Sequence, residues 1–460
     1  MNIIIAARTP KQFYNIQSIA EALLARGARV HAYFDEKLSR HESRAPLAEW
    51  AAGWPNFSFD FRPGRRGIAA FPVFCAREFL SYRRFLLSRS QSRYYAERWR
   101  KNLPFPARIL SYLPGFSSLL KTKRFAALLR HIEEKTKPVK RIIRILQSEK
   151  PDAVVATPTN MHPQSADTEF LKAAKSLGIF TVLPVFTWDN LTTKGLLPIK
   201  PDLLLAWNEK QAREAAEYHG IPCDKIEITG SPPFDRWFTL NEPTGRVEMF
   251  ISQLRSGQAP LLQKRILYVG ASQVTAKDET WLVRRIAEAL LQSDNEMAKN
   301  AVILFRPHPF NREPSKIFIE KPMSNVRVLE SESRMPNTRA RFNELRAEII
   351  AADAVCGIST SAFVDAVIAG KPVVSVSVPE YKETQEGAEH WRMLRESGAA
   401  YIASSAEEAV MLFGEIFFGK AAKKEQREDF INLYIRPFGR NVSAGERAAE
   451  AITRGTRGGL

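Results

Sequence analysis

The sequence predicts an α/β protein built from two open parallel sheets, each covered by helices on both faces. Three observations predict it. Short apolar runs alternate with segments of helical period in both halves of the chain, the pattern of strands that return to a sheet through crossover helices. A length of 460 residues exceeds what one hydrophobic core usually serves, so two domains are expected. A proline-rich stretch, 231–245, separates the two alternating series.

In chain order, "NIIIAA" is a short buried strand, 11–26 has helical period with Gly27 as its stop, and "ARVHAYF" is a second strand. The phrase repeats as "PDAVVATP" after a helical 134–149, "IFTVLPVF" after a helical 164–177, "PDLLLAW", and "KIEITG" after a helical 209–219. Between the second strand and Pro151 lies a segment too long for an ordinary loop. Its helical pieces are broken by "NLPFPAR" and "YLPG", so it reads as a helical insertion, about 61–133, in a first domain 1–235. The second domain, 245–425, has strands at "RILYVG", "AVILFR", "NVRVLE", "DAVCG" and "KPVVSVSV", with helices over 278–292, 343–351 and 361–369. Residues 426–452 look helical in two parts expected to pack back across the first domain, and 453–460 is expected to be a flexible tail.

The net charge of +17 is unevenly placed. Residues 61–124 hold fifteen Lys or Arg against only Glu78 and Glu97, interleaved with aromatics such as Phe71, Tyr82, Phe85, Tyr95, Trp99 and Phe105. Such a segment suits nucleic acid, an anionic membrane surface or a polyanionic substrate. Nucleic acid is disfavoured, because the cations sit in an insertion and no reading module is present. Attachment to the inner face of a plasma membrane and a plain solvated helical cover remain as readings. Cys75, Cys223 and Cys356 are odd in number and far apart, which gives neither a disulfide framework nor zinc spacing, and a reducing cytoplasm is expected. The first residues read as a strand and helix rather than an export signal, and no apolar run approaches the ~18 residues that cross a bilayer.

In open parallel sheets ligands bind beyond the carboxyl ends of the strands, so chemistry is expected in the loops that follow them. None of these loops holds "GxGxxG", a Walker sequence, "HExxH" or "GxSxG", which argues against a dinucleotide dehydrogenase, a P-loop kinase, a zincin and an ordinary serine hydrolase. In "RPHPF", Arg306 offers a planar fork suited to phosphate, and His308, between Pro307 and Pro309, can donate to a phosphate oxygen or sugar hydroxyl. The alternative is that Arg306 pairs with a carboxylate. In "DAVCGISTSAFVDAVIAGKPVV", Ser359, Thr360 and Ser361 open a helix whose free amides suit an anion, and Asp365 can reach a ribose or sugar hydroxyl or cap its neighbours. In "YVGASQVTAKDE", Gly270 and Ser272 form a polar turn, a further phosphate contact.

On the first domain, "VFTWDNLTTKG" supplies Trp188, Asn190 and Lys194 as acceptor contacts and Asp189 as a candidate base, or else Asp189 and Asn190 form an Asx turn. The loops "AARTPKQF" and "ATPTNMHP" add Arg8, Thr9, Thr159 and Asn160 as acceptor contacts, with His162 as a second candidate base or a helix cap. No "DxD" pair occurs, so no metal is expected and protein donors are to meet charge on a leaving group.

With these residues in view, the chain resembles two-domain GT-B glycosyltransferases. Within them it is most similar to the bacterial surface-polymer branch that includes CDP-glycerol glycerophosphotransferases and capsule sugar transferases. The resemblance rests on "RPHP", on "DAVCGISTSAFVDAVIAGKPVV" with its serine turn, acidic helix and glycine–proline exit, and on "ITGSPPFD", a step shared with UDP-N-acetylglucosamine 2-epimerases. The family's leading aspartate matches Asp353 only with altered spacing, and the epimerases' double-glycine turn and paired glutamates are replaced by "STSAFVDA".

The resemblance implies two Rossmann-like domains facing across a cleft, an acceptor domain first and a nucleotide-donor domain second. It implies a metal-independent enzyme that moves a sugar from a nucleotide-sugar, a substrate and not a resident cofactor. The acceptor would be a hydroxyl of a bacterial surface glycan or lipid-linked chain, as in capsule or lipopolysaccharide synthesis. The alternatives it implies are glycerophosphate transfer from CDP-glycerol and then UDP-sugar 2-epimerisation.

Overall fold

A computed structural model of the chain describes residues 1–67, 70–88, 93–157, 165–239, 263–329, 338–420 and 423–458. It divides into two units, Met1–Arg236 with Leu433–Leu460, and Trp237–Asn432.

The first unit holds one sheet of seven strands: β1 (Asn2–Ala7), β2 (Arg29–Asp35), β3 (Phe57–Arg62), β4 (Ala153–Ala156), β5 (Phe180–Pro184), β6 (Leu203–Ala206) and β7 (Ile226–Ile228). Their order is β3-β2-β1-β4-β5-β6-β7, and every pair is parallel. The unbroken apolar run of β1 follows from burial on both faces. Ile3 and Ile5 pack with Ile19 and Leu23 of the helix Gln17–Ala25, whereas Ile4 and Ala6 pack with Leu146 and Phe170 on the opposite side.

Strand β3 corrects the sequence reading, which ran the insertion from 61. The alternating "FSFDFR" pairs with β2 at the sheet edge, and the inserted helices begin only at Ala70. The expected helix over 134–149 is broken at 136–139, between Lys123–Lys135 and Lys140–Glu149.

The second unit holds six strands, β8 (Arg265–Val269), β9 (Val302–Arg306), β10 (Val326–Val328), β11 (Ala354–Gly357), β12 (Val373–Val376) and β13 (Tyr401–Ala403). Their order is β10-β9-β8-β11-β12-β13, again all parallel. The order reverses between β8 and β11 here, and between β1 and β4 in the first unit. Such a reversal opens a crevice at the carboxyl edge.

Of the two helical parts expected over 426–452, Lys424–Phe430 lies in the second unit and Ala444–Thr456 in the first. The latter packs on Gln17–Ala25 so closely that a Cβ on Gly445 would sit 2.5 Å from the Ser18 carbonyl oxygen. It is anchored by Asp235, which accepts from the amides of Ala444 at 3.0 Å and Gly445 at 2.7 Å and pairs with Arg436 at 2.8 Å. The helix runs to Thr456, so the expected tail is helical in its first residues.

The inserted helices carry a buried ionic network. Arg77, on the helix Ala70–Leu87, pairs with Glu133 at 2.6 Å and Glu169 at 2.9 Å. Lys172 joins Glu133 at 2.6 Å, and Arg65 joins Glu169 at 2.6 Å. Burial pushes the Glu133 carboxyl upward, but the Arg77 and Lys172 hydrogen bonds outweigh it and hold the group below its ordinary value. The aromatics of this region are mostly its own core: Tyr82, Phe85, Tyr95 and Trp99 are buried, with Phe85 and Trp99 stacked at 5.1 Å. The aromatic character of 61–124 is thus to a large extent internal, whereas among its described cations only Arg77 and Arg84 are buried.

Candidate functional site

In the second unit three strand-end loops meet at the reversal point. Gly357, closing β11, lies so near β8 that a Cβ would stand 2.6 Å from the Val269 carbonyl oxygen. Gly270, just after β8, would place a Cβ 3.0 Å from the His308 amide nitrogen and 3.0 Å from Glu279 Oε1. Only glycine permits this approach of backbone to backbone. Gly270 N–H donates to the Arg306 carbonyl at 2.8 Å. Asn311 ties the loops further, its Nδ2 donating to the Ala271 carbonyl at 3.2 Å and the Ala276 carbonyl at 3.1 Å. The loop after β8 and the His308 loop are therefore one piece of backbone.

His308 is half-buried. Its Nδ1 accepts the Phe310 N–H at 3.2 Å, which leaves the ring proton on Nε2. Burial, and next the positive charge of Arg341, push its pKa down to about 4. At neutral pH the ring is an uncharged donor through Nε2.

Arg306, expected to offer its fork to a phosphate, is buried and ion-paired with Glu348; its guanidinium is spent inside the unit because a strand-end charge with no water needs a counter-ion. A different cation stands by His308. Arg341, buried in the first turn of the helix Arg339–Ala351, has its pKa lowered to about 10 by burial and by Arg306. It contacts Glu344 at 3.2 Å.

On the β11 loop, Thr360 Oγ1 accepts the Ala362 amide at 3.3 Å, so this hydroxyl caps the following turn. Among the described residues the amides of Ser359, Thr360 and Ser361 donate to no protein acceptor. Ser272 faces Thr275, with their hydroxyl oxygens 3.3 Å apart. Asp365, expected to reach a ligand hydroxyl, accepts the Trp237 indole N–H at 2.6 Å through Oδ1.

At the carboxyl edge of the first unit, Arg8 follows β1 and Thr9 is buried beside it. Three carboxylates missed by sequence reasoning attend Arg8: Asp167, Glu42, and Asp35 at the end of β2. Asp35 accepts the Ala166 amide at 3.0 Å. Asp167 is fully buried and accepts the Thr168 amide at 2.8 Å through Oδ1, while its Oδ2 has no hydrogen-bond partner among the described residues. Burial pushes it up to about 7. Thr159, Asn160 and His162 lie outside the described residues.

The loop 185–195 is a supported structure. Asp189 pairs with Lys194 at 3.1 Å and accepts the Thr193 hydroxyl at 2.6 Å, so the two groups assigned to base and acceptor contact hold each other. Asn190 is buried, its Oδ1 accepting the Phe186 amide at 3.4 Å, and Trp188 is half-buried. Arg84 of the insertion donates to the carbonyls of Leu191 at 3.3 Å, Thr192 at 2.6 Å and Lys194. His219 Nε2 reaches the Leu191 carbonyl at 2.8 Å.

Buried carboxyls make stability depend on pH. Burial raises Glu279 to about 8, Glu78 to about 8 and Asp167 to about 7. Each folded value exceeds the unfolded one, so each contribution is complete in acid and is lost as pH rises through the folded value. His219 and His308, held by burial to about 3 and about 4, act oppositely and only below the ordinary histidine value. From about pH 6.5 upward the carboxyls alone act. The thermal midpoint should fall from there toward about pH 8, and Glu279→Gln should flatten the decline; a midpoint that rises across that range contradicts this assignment.

No protein-family model matches the sequence and no curated protein matches it. Solved structures do match its fold. A UDP-GlcNAc 2-epimerase from Methanocaldococcus jannaschii superposes with a TM-score of 0.57 at 15% identity, over 98% of this chain and 99% of that one. S. aureus MnaA in complex with UDP gives 0.53 at 11% identity, over 100% and 97%. A glycosyltransferase from Rickettsia africae gives 0.53 at 11% identity, over 99% and 98%. The chain thus has the GT-B fold of two Rossmann-like parallel-sheet domains.

Proposed function

We propose that the protein transfers a glycosyl group from a nucleotide-sugar to a hydroxyl acceptor, with the second unit holding the donor's diphosphate. The observation that carries this reading is the junction of three loops at Gly270, His308 and Gly357, which sets a neutral imidazole donor and the amides of 359–361 on one edge. Fixed donors aimed at a leaving diphosphate stabilise the charge that grows there as the glycosyl bond breaks. Arg341 adds positive potential, whereas Arg306 acts from behind by fixing the strand end against Glu348. The first unit supplies the acceptor contacts, with Arg8 the foremost, and the acceptor is a surface glycan or lipid-linked chain. Metal independence is part of the proposal, and full turnover in excess chelator is its check.

Two rival chemistries leave different products. Glycosyl transfer releases a nucleoside diphosphate only when acceptor is present, and glycerophosphate transfer from CDP-glycerol releases CMP. Epimerisation, favoured by the match to a UDP-GlcNAc 2-epimerase along nearly the whole of both chains, needs no acceptor and exchanges the sugar C2 proton with solvent. Incubation with nucleotide-sugars in D2O separates them. Acceptor-dependent diphosphate release supports transfer, and deuterium at C2 without release overturns it in favour of epimerisation. A thermal-shift series with UDP, CDP, GDP, ADP and CMP identifies the base that binds, since a ligand of the folded state raises its midpoint.

Peripheral attachment to an anionic membrane is also proposed, through a narrower part of the same basic segment. Among the described residues no helix is long and apolar enough to cross a membrane. Phe105, Ile109, Leu110, Tyr112 and Leu113 are exposed over two short segments of the insertion, with Lys101 and Arg108 beside them in sequence. Exposed apolar groups flanked by cations suit the interface of an anionic bilayer. Sedimentation with phosphatidylglycerol vesicles should fall several-fold in a Phe105→Ser, Leu113→Ser variant; unchanged sedimentation rules these residues out.

A further inference from the structure

The first unit contains a cavity of about 820 Å³ that no part of the proposed reaction uses. The helices Ala70–Leu87 and Lys123–Lys135 form one wall. The other wall is the segment 196–200 with the end of the helix Glu209–His219. That second wall runs into the amino end of β6 and leads toward the amino end of β7, so it stands at the opposite edge of the sheet from the strand-end loops. The volume is that of a small-molecule site.

The cations lining this cavity are of two kinds. Arg77 is neutralised by Glu133 and Glu169, Arg84 is turned to three carbonyls of the loop 185–195, and Lys200 donates to the Gly220 carbonyl at 2.5 Å. Arg83 and Arg130 differ. Among the described residues neither is ion-paired with a carboxylate. Arg83 donates through Nη2 to the Lys121 carbonyl at 3.0 Å, but its buried Nε has no hydrogen-bond partner among the described residues. The two guanidinium groups oppose each other: burial, then the charge of Arg130, lowers the Arg83 pKa. Leu80, Leu87, Leu196 and Leu197 give the same cavity an apolar side. Glu134 and Glu217 also line it; both are exposed, as Arg130 is, and among the described residues neither forms an ion pair with Arg83 or Arg130.

We propose that this cavity binds a phosphate group, with Arg83 and Arg130 as its forks. Two guanidinium groups that line one cavity and, among the described residues, have no carboxylate counter-ion suit a dianion that accepts several hydrogen bonds. The phosphate is either the head of an amphipathic molecule whose chain lies on the leucines or a free anion. The site is independent of the donor edge in the second unit.

The test uses the full chain, with hexyl phosphate, inorganic phosphate and hexanol as probes in calorimetric titration. Hexyl phosphate is expected to bind, and Arg83→Gln with Arg130→Gln to weaken it by about tenfold or more. The single variant Arg130→Gln, at an exposed position, serves as a second reading should the double variant unfold. Hexyl phosphate binding well ahead of inorganic phosphate assigns the head group of an amphipath; equal binding assigns a free anion. His308→Ala should leave both affinities unchanged, whatever becomes of the transferase reading. Absence of binding by either phosphate, or binding that survives the arginine changes and is lost with His308→Ala, overturns the proposal.

Discussion

His308→Ala is expected to lower kcat/KM for glycosyl transfer by roughly two to three orders of magnitude, the usual effect of deleting one fixed donor from a site of developing charge. The ring reaches that role by three steps. β9 ends at Arg306, the following prolines limit the backbone, and the Phe310 amide occupies Nδ1 at 3.2 Å. What remains is a neutral Nε2–H. Because the pKa is pushed down to about 4, this group should add no inflection to the rate profile between about pH 5.5 and 8. The thermal midpoint of the variant should stay near that of the parent, since a half-buried ring with one weak hydrogen bond holds little of the fold. His308→Gln, whose amide nitrogen can donate from nearly the same place, should recover part of the lost rate. Full activity in the alanine variant would remove the imidazole from the mechanism.

Arg77→Met is expected to destabilise the first unit by about 3–5 kcal/mol, the cost of leaving buried charges with fewer partners. Glu169 is 0% exposed and among the described residues would keep only Arg65 as an ion-pair partner, while Glu133 would keep only Lys172. Methionine fills most of the volume, so the loss reports charge rather than a hole. Adding Glu133→Leu to the same chain should cost further stability, because it takes from the buried Lys172 ammonium the carboxylate it pairs with at 2.6 Å. Urea midpoints at constant m-value measure both. A loss under about 1 kcal/mol would mean that water reaches the network and that it behaves as a surface pair.

The parallel strands buried on both faces are legible in the sequence because burial forces unbroken apolar runs such as "NIIIA" and "AVILF". Strand β3 is not, since an edge strand with Asp60 and Arg62 carries a weaker pattern, and β13 has only three residues. The loops at the reversal point are legible from topology, and Gly270 and His308 stand where strand ends place them. The partners of charged groups are another matter. Glu348 lies 42 residues from Arg306, and Asn311 lies 40 residues from the carbonyl it holds. Such pairings depend on which strand neighbours which, and a local pattern does not carry that information. For the same reason Asp35, Asp167 and Glu279 look like ordinary acidic residues until folding buries them. The insertion misleads in the opposite direction, because Tyr82, Phe85, Tyr95 and Trp99 build a small core, and only some of its aromatics, Phe105 and Tyr112 among them, face solvent.

The helix Ala444–Thr456 has a bearing on how the protein emerges from the ribosome. The second unit has its whole sequence in hand once Asn432 is made, but the first, begun much earlier, lacks the helix that covers Gln17–Ala25. Until then Ile19 and Leu23 have no cover from Ala448 and Ile452. The earlier half of the nascent chain must wait for the later one, with a sticky surface showing. Translation stalled just short of that helix should leave a chain that chaperones hold and proteases cut within its first two hundred or so residues.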